Sequence, residues 1–224
     1  MAAKKITFQV PVTLWASFTV QTKKLFLNRA PFLDHMLAME IPRVSSDLED
    51  FVMSPKARRY ISGALAKADA KAINIEIRAE TARTLEEVVK KHGLVRDALI
   101  CRLIIFLRGS DALFKYLEMP NNTDKFRGGV TGMSTSPMKA LEDIYGDPLY
   151  YIRAHLLNTQ ECGIYDCELP RSWDWAVCRI KDEDVPGTRA NIQMKQEQAR
   201  DAALFELLEA DLFSTENKAS KGST

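Results

Sequence analysis

The sequence has no apolar run approaching the ~20 continuous residues of a membrane span. Its start, Met1-Ala2-Ala3-Lys4-Lys5, lacks the apolar core and small-residue cleavage site of a secretory leader. The expectation is a cytoplasmic protein with no membrane contact, whose four cysteines stay reduced. None of them forms the close pair common in zinc sites: Cys162 and Cys167 are five apart, Cys178 is eleven further on, and His155 lies upstream. Zinc needs four converging ligands, so buried free thiols are the better reading, and neither metal nor cofactor is expected. The only histidines, His35, His92 and His155, sit in segments that read as helix or helix end. There is no serine–histidine–acid arrangement, metalloprotease helix or nucleotide fingerprint. Gly128-Gly129-Val130-Thr131-Gly132 lacks both the Gly-Lys-Ser/Thr ending of a phosphate loop and a preceding strand, and reads as a plain loop. No catalytic residue is assigned, and an enzyme is not expected.

Net charge is also small, +1 over 224 residues. That balance conceals an asymmetry. Residues 1–110 hold 18 Lys and Arg against 11 Asp and Glu, whereas residues 111–224 hold 13 against 19. A basic N-terminal half suits a phosphate-binding surface, although an excess of this size permits nucleic-acid binding without requiring it. Hydrophobic content of 46% and charge of 27% are ordinary for a globular chain with one or two cores.

What the sequence does contain is a short alternating strand followed by two helices, twice. The first strand is Lys5-Ile6-Thr7-Phe8-Gln9-Val10-Pro11 and the second Ala72-Ile73-Asn74-Ile75-Glu76-Ile77-Arg78. Apolar residues two apart share one face of each strand, and the polar residues between them share the other. After the second strand, Leu85, Val88 and Val89 mark one helix with Gly93 as its stop. Leu99, Ile100, Leu103, Ile104 and Leu107 mark the next, from about Val95 to Arg108. After the first strand, Thr13 to Phe26 reads as a helix carrying Trp15, Phe18 and Leu25. Asn28 then caps a helix from Arg29 to Glu40 whose apolar face is Phe32, Leu33, Met36 and Leu37. Val10 to Leu33 spans 23 positions and Ile77 to Leu99 spans 22, the near-equal spacing of a duplicated unit.

Strand, helix, turn and helix in this order resemble the ribbon-helix-helix fold of the MetJ/Arc/CopG superfamily. The second copy resembles it more closely, through Ile75-Glu76-Ile77-Arg78-Ala79-Glu80 and His92-Gly93-Leu94-Val95-Arg96-Asp97-Ala98-Leu99-Ile100. The first copy has Leu27-Asn28 in place of the turn glycine. It also carries Pro31 in the first turn of its second helix, where free amides tolerate it. The two copies cover about residues 4–41 and 72–109. Such proteins usually dimerise to pair two strands as an antiparallel ribbon. Here both strands lie in one chain, at an effective concentration on the order of millimolar.

The resemblance implies double-stranded DNA as partner, with the ribbon in the major groove. Carried over by register, the base-reading residues are Lys5, Thr7 and Gln9 from the first copy and Ala72, Asn74 and Glu76 from the second, with Arg78 just beyond. Gln and Asn suit adenine edges and Lys suits guanine. The N-termini of the second helices, near Asn28-Arg29 and Val95-Arg96, would hold phosphates. Ala72 reads almost nothing, and Glu76 opposes a polyanion unless it accepts from a cytosine amino group. The bland alternative is that these side chains are only the solvated face of a strand pair.

The expected fold is therefore mainly α with a short two-stranded antiparallel ribbon: an intramolecular ribbon-helix-helix pair over residues 1–117, a mostly helical C-terminal domain over 118–213, and a disordered tail over 214–224. Pro42 to Lys71 connects the copies and includes a helix from Ala57 to Ala70. In the second half, helices are expected from Ser136 to Tyr145, from Asp147-Pro148 to Asn158 and from Thr188 to Phe213, with Trp173-Asp174-Trp175 alternating as a strand would. The functional expectation is sequence-specific DNA binding, as in transcriptional regulators or accessory proteins that process plasmid or phage DNA. The alternative is a protein-interaction scaffold, antitoxin-like or docking onto a larger machine through the C-terminal half. A small enzyme housed in that half is a third reading.

Overall fold

A computed structural model of the chain describes residues 2–119, 138, 145–187, 189 and 191–196. It is mainly helical, with one two-stranded antiparallel sheet. Strand β1, Ala3–Pro11, is followed by helices α1, Val12–Lys24, and α2, Arg29–Leu48. Helix α3, Pro55–Lys67, leads to strand β2, Ala70–Arg78, and then to α4, Ala79–Lys91, α5, Arg96–Arg108, and the short α6, Asp111–Tyr116. A further helix, Tyr150–Gln160, and a 3₁₀ turn, Arg171–Ala176, follow. The chain divides into two compact units, Met1–Arg179 and Ile180–Thr224.

The pairing joins Lys5 to Glu76, Thr7 to Asn74 and Gln9 to Ala72. Ile6, Phe8, Val10, Ile75 and Ile77 are buried beneath, with Ile73 half-buried. Because the side-chain period of a strand is two, a slip of one residue would turn all of these toward water, and burial fixes the register. Phe8 stands edge-on to Trp15 at 5.9 Å, and Trp15 and Phe18 continue the aromatic core with their centroids 5.8 Å apart.

The repeat is stricter than the sequence spacing suggests. β1 and β2 have nine residues each, α1 and α4 thirteen, and α2 and α5 begin at Arg29 and Arg96. Every one of these positions is displaced by 67, the separation of Thr7 from Asn74. Leu33 therefore corresponds to Ile100 rather than to Leu99, and both are fully buried. The turns obey the same displacement. Phe26 N–H donates to Lys23 O and Leu27 N–H to Thr22 O, as Gly93 N–H does to Lys90 O and Leu94 N–H to Val89 O. Gly93 has φ +61°, and a Cβ there would lie 2.8 Å from Met53 O. Phe26 adopts φ 56° at the matching position of the first copy, where the side chain is 97% exposed and meets no such obstacle. Leu25, expected in the apolar face of α1, is instead 64% exposed, because this turn carries it clear of the core.

Each second helix packs on the other copy's strand: α2 lies on β2 and α4, and α5 on β1 and α1. The halves are thus interleaved rather than side by side. Asn28 holds the N-cap position of α2, but its side chain makes no capping bond. α2 also runs on past Glu40 through Pro42 to Leu48, whereas α5 stops at the corresponding point with Gly109 in the left-handed region. In α3, Ser54 accepts from the Ala57 N–H at 3.0 Å.

Residues 145–179 close over this body, so that the first unit runs to Arg179 rather than ending at residue 117 as expected. The fastener is Arg102, 0% exposed in α5. Its Nε donates to Ile164 O at 2.6 Å and Nη1 to Ala176 O at 3.2 Å, while Nη2 donates to Cys167 O. On the same side, Tyr165 Oη donates to Glu40 at 3.1 Å, and Tyr165 N–H donates to Asp47 at 3.0 Å. Burial raises the Asp47 carboxyl above its ordinary range.

Trp173-Asp174-Trp175 belongs to the 3₁₀ turn and is not a strand; Trp175 Nε1 donates to Ser172 O within that turn. Of the expected helix from Thr188, residues 191–196 are helical, and the rest, apart from the isolated residue 189, lies outside the described residues. The glycine-rich segment at 128–132, most of the helix expected at 136–145 and the tail at 214–224 also lie outside them.

Candidate nucleic-acid interface

Lys5, Thr7 and Gln9 on β1, and Ala72, Asn74 and Glu76 on β2, are all exposed and share the outward face of the ribbon. At its centre Thr7 Oγ1 donates to Asn74 Oδ1 at 2.6 Å. The bond joins two residues equivalent in the repeat, so the pseudo-dyad passes through it. It occupies one of two lone pairs on the Asn74 oxygen, leaving the other and both amide hydrogens for a base edge. Lys5 and Glu76 lie directly opposite one another, a pairing that favours the ribbon while offsetting the charge of its outward face.

The cations expected to flank the ribbon are partly engaged. Arg96 donates through Nη2 to Thr7 O and through Nε to Asp97 at 3.0 Å. Asp97 in turn accepts from Gln9 N–H at 2.8 Å, and Cys101 Sγ–H donates to Gln9 O at 3.4 Å. The start of α5 thereby satisfies the outer edge of β1, which would otherwise offer unpaired groups to another strand. On the outer edge of β2, Asp34 accepts from Arg78 N–H at 3.1 Å and from Arg78 Nε at 2.7 Å. Arg29 lies over the Trp15 ring at 5.4 Å and donates to Thr19 Oγ1 at 2.8 Å, while Asn28 stays exposed. Arg78 and Arg96 nonetheless keep 40% and 35% of their side-chain surface accessible. Lys4 pairs with Glu86 at 2.9 Å, which holds that carboxyl below its ordinary range.

The other candidate groups are structural in character. His92 is buried, with Nδ1 2.8 Å from Phe51 O, and His155 Nε2 lies 2.7 Å from Leu117 O. Cys101, Cys167 and Cys178 are buried free thiols and Cys162 is half-buried. Burial pushes Cys162 and Cys178 up to about 11, which disfavours the thiolate that metal binding or nucleophilic attack would need. Among the described residues no three His, Cys, Asp or Glu side chains are grouped to hold a metal ion, and no helix is long and apolar enough to cross a membrane.

A groove of about 750 Å³ lies between α3 and the 3₁₀ turn, opening at the Pro11–Ala70 end of the ribbon. Its only sequence signals are the cluster Arg58-Arg59-Tyr60 and the run Arg171 to Trp175, which lie more than a hundred residues apart. Comparison with protein families, with curated proteins and with solved structures gives no match to this chain.

Proposed function

We propose that this protein binds double-stranded DNA in a sequence-dependent manner, inserting the β1–β2 ribbon into the major groove as a ribbon-helix-helix protein does. The observation that carries the reading is the pairing of Thr7 with Asn74 inside one chain, with Lys5, Gln9 and Glu76 exposed around it. A two-stranded ribbon fits the width of the major groove, and amide side chains supply the paired donor and acceptor that adenine matches. The accessible parts of Arg29, Arg78 and Arg96, with Asn28, would meet the phosphates on either side. As the two halves differ at all three outward pairs of equivalent positions, Lys5/Ala72, Thr7/Asn74 and Gln9/Glu76, the preferred site is not a palindrome. Regulation of transcription or accessory processing of plasmid or phage DNA, in a cytoplasmic setting, follows from this reading.

A second reading has its own support. The outward face carries one cation and one carboxylate, so it is close to neutral, and a protein partner could cover it as readily as DNA. This is the scaffold or docking alternative.

Alanine at Gln9 or Asn74 separates the two. Each bidentate base contact discriminates by about 1–3 kcal/mol. Gln9→Ala and Asn74→Ala should each lower the preference for a selected duplex over random duplex by about tenfold, while affinity for random duplex changes little. The measurement is competition binding at fixed salt. Unchanged preference in both variants would remove the ribbon from base recognition.

A further inference from the structure

The groove between α3 and the 3₁₀ turn is built from aromatic side chains and cations. Trp173 and Trp175 line it half-buried, and Arg59, Lys67 and Arg171 line it exposed. None of these three cations forms an ion pair among the described residues; Arg59 Nε only donates to Pro55 O at 3.3 Å. The single carboxylate in the lining, Asp174, accepts a hydrogen bond from Tyr60 Oη, a bond that ties α3 to the turn. Burial and the neighbouring Asp174 push the Tyr60 phenol up to about 12. Three unpaired cations against one engaged carboxylate select an anion. Two partly exposed indoles beside them select an anion that also carries flat rings.

We infer that this groove binds single-stranded nucleic acid, with bases stacking on Trp173 and Trp175 and phosphates held by Arg59, Lys67 and Arg171. Stacking tolerates any base because each has a π-face, and cations that track the backbone supply the rest of the affinity. The site is separate from the outward ribbon face and does not depend on duplex reading there. Since Pro11 and Ala68 line its near end, a strand leaving the groove would emerge beside the ribbon.

The chain has three tryptophans, and Trp15 is only 7% exposed, so stacking would be reported mainly by the other two. Titrating the full-length protein with a fluorescein-labelled oligothymidylate of about twelve nucleotides should quench tryptophan emission and raise probe anisotropy together. Arg59→Glu with Arg171→Glu alters only exposed side chains and should weaken that binding about tenfold or more. Trp173→Phe should retain most of it, and Trp173→Ala should not. Duplex of equal length should displace the probe poorly, and thymidine monophosphate alone should bind far more weakly. Absence of quenching, wild-type affinity in the double charge reversal, equal displacement by duplex, or equal binding of the mononucleotide would each overturn the assignment. The ribbon variants Gln9→Ala and Asn74→Ala should leave oligothymidylate binding intact, which keeps this result distinct from the duplex one.

Discussion

Arg102→Met should destabilise the protein by about 3 kcal/mol or more, because three buried carbonyls lose their donor at once. Two effects oppose each other here. Removing a buried cation relieves its desolvation, and replacing a buried ion with an apolar side chain is sometimes neutral. Arg102, however, is held chiefly by the carbonyls of Ile164, Cys167 and Ala176. Methionine would strand the carbonyls of Cys167 and Ala176 among buried residues and leave Ile164 O only the weak Cys167 Sγ–H donor at 3.5 Å. The acceptor loss should win. Arg102→Lys keeps the charge but reaches fewer acceptors, and should fall between wild type and the methionine variant. Urea unfolding followed by circular dichroism gives both numbers. Hydrogen exchange should show protection lost first around residues 163–178, with the ribbon retained longer. Equal stability of Arg102→Met and wild type would mean that the carbonyls find other partners.

Duplex binding should fall about 40-fold between ~50 and ~200 mM salt if about three phosphates are neutralised, since the logarithmic slope is roughly −0.9 per phosphate. Arg29, Arg78 and Arg96 are the cations proposed to meet the phosphates. Arg29, Arg78 and Arg96 already serve Thr19, Asp34 and Asp97 respectively, so the slope measures how many are released to DNA. A scaffold that docks on protein would bind duplex weakly at both salt concentrations and show no such slope. Glu76 opposes the same phosphates, a repulsion that weakens binding most at low salt, where screening is least.

The ribbon was legible in the sequence because its signal is local. Alternation of Ile6, Phe8 and Val10 with Lys5, Thr7 and Gln9 fixes which side chains are buried, and the same alternation in Ala72 to Arg78 supplies a partner. Gly93 marked the second copy's turn for an equally local reason, its positive φ. The matching turn in the first copy was harder to read, because Phe26 enters the left-handed region without glycine's freedom. The continuation of α2 through Pro42 likewise runs against the usual reading of proline as a stop. Trp173-Asp174-Trp175 alternates over too few residues to distinguish a strand from a 3₁₀ turn. Arg102 was illegible altogether: its partners lie 62 to 74 residues further along the chain, and only the fold brings them to it. The same limit applies to the candidate site. Outward strand positions follow from alternation, whereas the engagement of Arg29 by Trp15 and of Arg96 by Thr7 depends on how the helices dock.

The most direct measurement is selection from a library of randomised duplexes by the wild-type protein at ~50 mM salt, followed by sequencing of the retained pool. The expected result is a single enriched motif without two-fold symmetry, spanning a few base pairs and including adenine where Gln9 or Asn74 would read. A retained pool indistinguishable from the input, or failure to retain duplex at all, would contradict base recognition by the ribbon.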